Sequence, residues 1–427
     1  MELMRKKSLI IISVLFFLSS CSSGNESNTQ TDEYSDDNAG FSQITSDSIT
    51  AVYSADLALG DIDGDGDNDL ILSGKNQTTS LSEIYLNDGT GRYSVSPSNS
   101  LAPVHDSSMA LDDFDQDGDL DLVLLGKNDA TNVASFYVNN GDGLFSTVST
   151  EIFDALSAPS LDAEDIDENG SIDLIVSGYS GDSFKVVLYK NDGAAEFSRI
   201  EIASYDNSIQ KQQNVRFADL DNDNDKDVVF IFYDTRSGHY KITIYQNDGF
   251  GHYLLFSEEN VTQDILSEEY CNFSLIDFDL DQDIDILLVC DFTAFRHWAG
   301  LSKVLLNNGD GLFELAEYIS LPTYQASFCR SDIDKDGVQD ILAVGGDHMS
   351  DGIYIGHYHP VAIVYQSSGQ TGYQETDYSG IAGVRDGACE LGDVNGDGKV
   401  DIVVTGIVSG TGSLEEDLEI NVYRNDL

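Results

Sequence analysis

Hydrophobic and polar positions along this chain fall into one composite pattern that repeats seven times. Each copy opens with a short alternating stretch. Leu57 and Leu59, Met109 and Leu111, Leu161 and Ala163, Val215 and Phe217, and Phe273 and Leu275 stand four and two residues ahead of an acidic run. That is the period-two signature of a half-buried strand. After the acidic run the chain turns uninterruptedly apolar: Leu70–Leu72, Leu122–Leu125, Leu174–Val176, Val228–Phe232, Ile286–Val289, Ile341–Val344 and Ile402–Val404. Runs apolar at every position predict strands buried on both faces. A variable polar loop follows, then a third strand ending near Tyr85, Tyr137, Tyr189, Tyr245, Leu305, Tyr365 or Tyr423. Glycine turns such as N-D-G-T-G-R-Y from Asn87 come next, with copies at Asn139, Asn191, Asn247 and Asn307 and a degraded one at Ser367. Asn-Asp-Gly supplies the positive φ angles of a hairpin, and the closing aromatic starts a fourth strand. These turns read as scaffold.

Four antiparallel strands repeated seven times predict an all-β fold, a seven-bladed β-propeller of four-stranded antiparallel blades. The acidic runs start at Asp61, Asp113, Asp165, Asp219, Asp277, Asp332 and Asp393, in steps of 52, 52, 54, 58, 55 and 61 residues, so repeat architecture is the primary reading. At Asn425-Asp426-Leu427 the seventh copy still lacks its aromatic and fourth strand, and Gly40-Phe41 with Ser42–Ser46 resembles the missing piece. The N-terminal strand is therefore expected to complete blade seven and close the ring, removing an open edge.

The acidic runs carry the candidate chemistry. Each is a nine-residue loop with oxygen-bearing side chains at alternate places, as a hard cation such as Ca²⁺ requires, since it gathers six to eight oxygens. Places one, three, five and nine are assigned as side-chain ligands: Asp61, Asp63, Asp65 and Asp69; Asp113, Asp115, Asp117 and Asp121; Asp165, Asp167, Asn169 and Asp173; Asp219, Asp221, Asp223 and Asp227. The series continues with Asp277, Asp279, Asp281 and Asp285; Asp332, Asp334, Asp336 and Asp340; and Asp393, Asn395, Asp397 and Asp401. Place seven (Asp67, Asp119, Ser171, Asp225, Asp283, Val338, Lys399) is expected to offer its backbone carbonyl. An EF-hand would need Glu at the twelfth place, where Leu72, Leu124 and Val176 stand. A solvated acidic turn explains one copy, but not seven in phase. Glycine holds the sixth place in five copies, whereas Asn224 and Gln282 stand there in the fourth and fifth. With Gln282 and the apolar Leu280, the fifth copy is expected to be the weakest site. Affinities of roughly 10⁻⁴–10⁻³ M would match extracellular modules.

The formal charge is −55, and becomes −57 without the net +2 of Glu2, Arg5, Lys6 and Lys7. Such a balance disfavours nucleic acid, whose phosphates need basic patches. Arg5–Lys7 precede the apolar stretch Leu9–Leu18, too short for a transmembrane helix, so residues 1–20 read as an export signal. Leu18-Ser19-Ser20-Cys21 resembles a bacterial lipobox, which implies lipidation of Cys21. The polar residues 21–40 then read as a disordered tether to a propeller over 41–427. By the same resemblance, Ser22 is not the Asp that often retains lipoproteins at the inner membrane, so the expected place is the cell envelope, lipid-anchored (outer membrane, periplasmic or surface-exposed).

Cys271 falls within one residue of facing Cys290, and register decides whether they bridge. Cys329 and Cys389 lie three and four residues before their loops, on opposite strand faces, and are expected to stay free. Arg330 takes a core-facing place and is expected to reach a carboxylate or the central channel.

G-D-I-D-G-D-G-D-N-D-L-I-L-S-G at Gly60–Gly74 and G-D-V-N-G-D-G-K-V-D-I-V-V-T-G at Gly392–Gly406 resemble the FG-GAP/VCBS repeat family, which includes the propeller of integrin α subunits. The resemblance spans residues 41–427. It implies Ca²⁺ in the hairpins between first and second strands, on one face, with ligands often on the other. The Phe-Gly and Gly-Ala-Pro sequences are largely missing, so an integrin-like role does not carry over. The longest loops expected opposite the calcium face hold Arg236, His239, Phe295, Arg296, His297, Trp298, His348, Tyr354, His357, Tyr358 and His359. Exposed aromatics there suit stacking on a sugar or anchoring a partner, or else form a small core of their own. No G-x-S-x-G, H-E-x-x-H or phosphate-cradling loop occurs. The expectation is a calcium-stabilised adhesion or binding module for a protein or glycan, with a polysaccharide lyase or dehydrogenase-like enzyme as the alternative.

Overall fold

A computed structural model describes residues 40–427, except 45–47, 150–151, 207–208, 261–269, 292–300, 317–320, 322–323, 348–358, 368–372, 377, 379 and 409–416. Seven four-stranded antiparallel sheets form the blades. Blade 1 comprises Tyr53–Gly60, Asp69–Lys75, Ser80–Asn87 and Tyr93–Val95, in that order from inner to outer strand. The other inner strands are His105–Asp112, Ser157–Glu164, Ile209–Ala218, Tyr270–Ile276, Tyr324–Ser331 and Arg385–Gly392. Each inner strand packs against the inner strands of both neighbouring blades, and the seventh returns to the first. The ring closes as expected: Phe41–Ile44 pairs with Leu418–Asn425 as the outer strand of blade 7, with Phe41 opposite Asn425.

The core lies between blades. Second-strand residues such as Leu70, Leu122, Leu174, Val228, Ile286 and Ile402 have no exposed surface. Their clusters pair adjacent blades; one joins Ile71 and Ile84 of blade 1 to Leu122 and Leu124 of blade 2. The third-strand tyrosines add a polar anchor. The hydroxyls of Tyr85, Tyr137, Tyr189 and Tyr423 accept the N–H of Thr50, Ala102, Asp154 and Ala382, holding the linker that enters their own blade.

The inner strands carry a bulge that simple alternation does not reveal. Register shifts occur in blades 1, 2, 3, 4, 6 and 7, and Ser54, Asp106, Ala158 and Asp386 take positive φ there. The chain at the bulge runs directly over a glycine of the second strand. A Cβ on Gly74 would meet Val52 at 2.9 Å, and one on Gly178 would meet Leu156 at 2.7 Å. This close approach accounts for the glycine ending L-I-L-S-G and L-I-V-S-G.

Blade 5 has neither feature. Its inner strand runs in straight register, Cys290 replaces the glycine, and Cys271 lies directly opposite it in a disulfide. Cys329 and Cys389 are also bridged, Cα to Cα 6.0 Å, which corrects the expectation that they stay free. Opposite parity excludes a bridge within one sheet. Blades 6 and 7, however, present opposite faces to each other, so opposite parity is what a bridge between blades requires. Arg330 reaches inward, its guanidinium donating to the Leu275 carbonyl of blade 5 and facing Arg216 and Asp162 across the axis.

The Cys329–Cys389 bridge closes a 60-residue separation. Replacing both cysteines by serine should lower unfolding stability by about 2–4 kcal/mol, read from chemical denaturation. An unchanged midpoint would show that this clasp carries no stability.

Candidate metal centres

The acidic loops are the hairpins joining inner and second strands, so ring symmetry places all seven on one face. Their backbone follows one design. Places four and six are left-handed throughout: Gly64 and Gly66, Gln116 and Gly118, Glu168 and Gly170, Asn222 and Asn224, Leu280 and Gln282, Lys335 and Gly337, Gly396 and Gly398. The conformation aims the place-six N–H at the first aspartate, whose carboxylate accepts it at 2.7–3.0 Å in every copy. Gln282 does adopt the strained conformation, at φ 80° beside Leu280 at φ 64°. A side chain there costs roughly 1–2 kcal/mol, which glycine avoids.

The ninth aspartate is the most buried member. Asp69, Asp121, Asp173, Asp227, Asp285, Asp340 and Asp401 are at most 1% exposed. One oxygen accepts the N–H of the residue ending the third strand (Asn87, Asn139, Asn191, Asn247, Asn307, Ser367 or Asn425) at 2.6–3.0 Å. In six copies the other oxygen accepts the N–H of place two, as Ile62 to Asp69 at 3.2 Å. In blade 2 the place-two N–H, on Phe114, turns to the Asp112 carbonyl instead, and Asp121 Oδ2 is left buried without a partner.

Carboxylate oxygens of places one, three and nine lie within 4.8 Å of one another in the sets Asp61-Asp63-Asp69, Asp113-Asp115-Asp121, Asp165-Asp167-Asp173 and Asp277-Asp279-Asp285. In blade 4 the group is Asp219-Asp221-Asp223. Oxygens around one Ca²⁺ at about 2.3–2.6 Å span up to roughly 5 Å, so the donor set fits such an ion. The unpartnered Asp121 oxygen points the same way, because an unsatisfied buried carboxylate oxygen is costly. The place-five side chain accepts a bond from within the loop: Asp65, Asp117, Asn169, Asp223, Asp281, Asp336 and Asp397 each take the place-seven N–H at 2.7–3.1 Å. The place-seven side chain is directed elsewhere. A Cβ on turn residue Gly89 would come within 2.5 Å of Asp67 Oδ2, and Gly141, Gly193, Gly249 and Gly309 are equally tight against Asp119, Ser171, Asp225 and Asp283. Val338 and Lys399 can therefore stand at place seven without disturbing the carboxylates.

Burial pushes the ninth carboxyls far above the usual carboxylate range: to about 6 for Asp69, Asp173, Asp285, Asp340 and Asp401, and to about 7 for Asp121 and Asp227. At place three, burial and then the neighbouring carboxylates raise Asp63, Asp115, Asp221, Asp279 and Asp334.

The turn asparagines, read above as scaffold, also link one loop to the next. Asn87, Asn139, Asn191, Asn307 and Asn425 donate their side-chain amides to the place-two carbonyl of the preceding blade: Val394, Ile62, Phe114, Leu220 and Ile333, at 2.8–3.0 Å. Asn68 to the Asp393 carbonyl, Gln116 to the Gly170 carbonyl, Asn222 to Asp283 and Lys335 to the Gly398 carbonyl add direct loop-to-loop contacts. Asn247 donates to Lys226 within its own blade, and Ser367 carries a hydroxyl in place of the amide. The signal available in sequence was the invariance of Asn at the head of five turns, which hairpin chemistry alone absorbed.

Of the residues proposed for the opposite face, Arg236 is exposed and paired with Asp206, and His239 is half-buried where the third strand of blade 4 begins. His359 begins the third strand of blade 6, with its backbone opposite Asp347. Phe295, Arg296, His297, Trp298, His348, Tyr354, His357 and Tyr358 lie outside the described residues, as do Cys21 and the export signal.

A profile of FG-GAP-like repeats matches residues 61–124, 113–176, 165–230 and 332–404, together more than half of the chain. No curated protein sequence matches significantly. Among solved structures, AofleA from Arthrobotrys oligospora is 11% identical with a TM-score of 0.44, over 75% of this chain and 84% of that one. The six-bladed Aleuria aurantia lectin is 9% identical at 0.41, over 77% and 97%. A fructofuranosidase from Schwanniomyces occidentalis is 10% identical at 0.35, over 75% and 61%.

Two outcomes follow from the site. A carboxyl with a raised folded-state pKa contributes stability below its unfolded value near 4, and loses it as pH rises through about 6–7. In chelator, the melting temperature should therefore fall between pH 5 and pH 7.5; a rise over that range would show that the buried aspartates are not the controlling groups. Asn139→Ala should cost about 1–3 kcal/mol by leaving the Ile62 carbonyl unpaired, measured by urea unfolding.

Proposed function

The chain belongs to the FG-GAP-like repeat family, and we propose that it is a calcium-stabilised cell-envelope lipoprotein that binds a protein or glycan ligand. In this reading the side chains at places one, three, five and nine, with the place-seven carbonyl, hold the ion in each blade. The ion supplies positive charge where carboxylates crowd together, and it performs no chemistry on the ligand. The protein's own groups do the positioning. The place-six N–H orients the first carboxylate, and backbone donors (two in six blades, one in blade 2) orient the ninth.

The observation that carries the reading is Asp121 Oδ2, a buried carboxylate oxygen without a donor, set among the carboxylates of Asp113 and Asp115. The lipid anchor at Cys21 rests on the sequence between Arg5 and Ser22. Recognition is assigned to the loops on the face away from the metal hairpins, with Trp298 as the anchor, because only there do long non-repeating segments rich in aromatics interrupt the blade pattern.

Adding millimolar Ca²⁺ to chelator-treated protein should raise the melting temperature, more at pH 7.5 than at pH 5, because protons compete for the same oxygens. No shift at either pH would remove calcium from the account. A glycan array read with Ca²⁺ and with chelator tests recognition: bound and uncleaved glycans support a binding module, and cleaved products would make the protein an enzyme. Trp298→Ala should weaken binding roughly tenfold or more while leaving the melting temperature in place. A loss of stability alone would make Trp298 a structural residue.

A further inference from the structure

The outer strand of each blade is an open sheet edge, and most of the seven are too short to template anything. Tyr93–Val95, Ser146–Ser149, Phe313–Leu315, Tyr373–Thr376 and Phe41–Ile44 have three or four residues. Two outer strands are long, and they are treated differently. Phe197–Tyr205 in blade 3 is blunted by charge: Arg199 pairs with Asp154 and Glu201, and Lys185 also reaches Glu201. Charged edges of this kind discourage strand addition.

Tyr253–Asn260 in blade 4 carries one comparable pair, Glu258 with Lys241, but only beyond its apolar stretch. Among the described residues it pairs only with His239–Asn247, which makes it the outer edge of its sheet. Three consecutive large apolar side chains are exposed on it: Leu254 at 66%, Leu255 at 55% and Phe256 at 39%. Phe256 occupies a bulge between Leu255 and Ser257, and its ring lies against turn residue Gly311 of blade 5. Leu312 (53% exposed), next to Gly311, therefore continues the patch across the blade boundary; Leu315 (55%) is exposed on the outer strand that follows, and Phe250 stands out from the neighbouring turn at 84%. Exposed apolar surface extending over two blades, beside an unpaired edge, has the features of an interaction site rather than of scattered surface leucines.

Charge selects the occupant. Asp248, Glu258 and Glu259 flank the patch in blade 4, and Asp310 and Glu314 flank it in blade 5. A second copy would bring the same carboxylates, within a chain of net charge −55, against them. An anionic bilayer would be repelled likewise. We infer that the outer rim of blades 4 and 5 receives an extended segment of a partner protein with alternating basic and apolar residues, added as a fifth strand along Tyr253–Asn260. Main-chain pairing supplies affinity in this mode, and alternate side chains supply selectivity. The apolar residues of the segment would cover Leu254 and Phe256, and its cations would meet Glu259, Asp310 and Glu314, since Glu258 is held by Lys241 and Asp248 by His252. This surface is separate from the loop face assigned to recognition above, and the two can fail independently.

The probe is a fluorescein-labelled twelve-residue peptide of alternating lysine and valine, titrated by fluorescence anisotropy against the folded chain in Ca²⁺ at physiological salt. The double variant Leu254→Lys/Phe256→Lys is compared with Val148→Lys/Ile200→Lys, which adds the same charge to the outer strands of blades 2 and 3. The first should raise the Kd roughly tenfold or more and the second less than about twofold. Equal effects would reduce binding to bulk charge and overturn the inference, as would no effect from either. Sedimentation showing a wild-type dimer that Leu254→Lys dissolves would give the edge to a second copy instead. A milder Leu254→Ser variant, checked for an unchanged melting temperature, keeps the comparison valid if the lysines perturb folding.

Discussion

A buried carboxylate in each blade ties the face of acidic loops to the fold. The ninth loop residue has almost no exposed surface, yet it is an aspartate in every blade. In six blades it survives because backbone donors meet it from two directions, the start of its own loop and the end of its third strand; in blade 2 only the latter donor remains. Burial penalises the ionised form more than those bonds favour it, and the carboxyl is held well above its usual range. A divalent ion among the three converging carboxylates would reverse that balance. Loop geometry, the ends of the third strands and the contacts between neighbouring blades are thereby joined through one group.

The same group explains why most of the acidic loops are linked to a neighbour rather than standing as separate hairpins. The asparagine whose N–H holds the ninth carboxylate uses its side chain on the preceding blade. The link runs from blade 6 through 7, 1 and 2 to blade 3, and separately from blade 4 to blade 5. At the remaining junctions the amide stays within its blade, as in Asn247, or is replaced by Ser367. Blades 4 and 5 differ in further respects. Neither left-handed loop position in them is a glycine, a disulfide stands in for the bulge and glycine in blade 5, and the repeat profile does not extend across blade 5.

Inner strands face a different problem. Their edges meet at the axis, where unpaired backbone groups need partners from the next blade. Asp56 accepts the Met109 N–H, Ser108 the Leu161 N–H, Ser160 the Val215 N–H and Asp162 the Phe217 N–H. Polar side chains on the innermost strand thus finish the hydrogen bonding that a fifth strand would otherwise supply. The cost falls on the carboxyls: desolvation lifts Asp56 to about 7 and, with repulsion from Asp56, Glu390 to about 8.

Blade number, strand order, ring closure by Phe41–Ile44 and the position of every acidic loop were legible in the sequence, because they depend on local periodicity and on loop residues with few alternatives. Contacts between blades were not. The Cys329–Cys389 bridge is hidden from sequence because parity describes faces within one sheet, while stacking sets opposite faces of neighbouring blades against each other. Cys271–Cys290 turned on a one-residue register that a bulge in the neighbouring blades obscures. The asparagine links needed the pitch between blades, and the apolar edge of blade 4 needed to be known as an edge. Periodicity records how a residue relates to its own strand; which surface that strand meets is settled only when the ring closes.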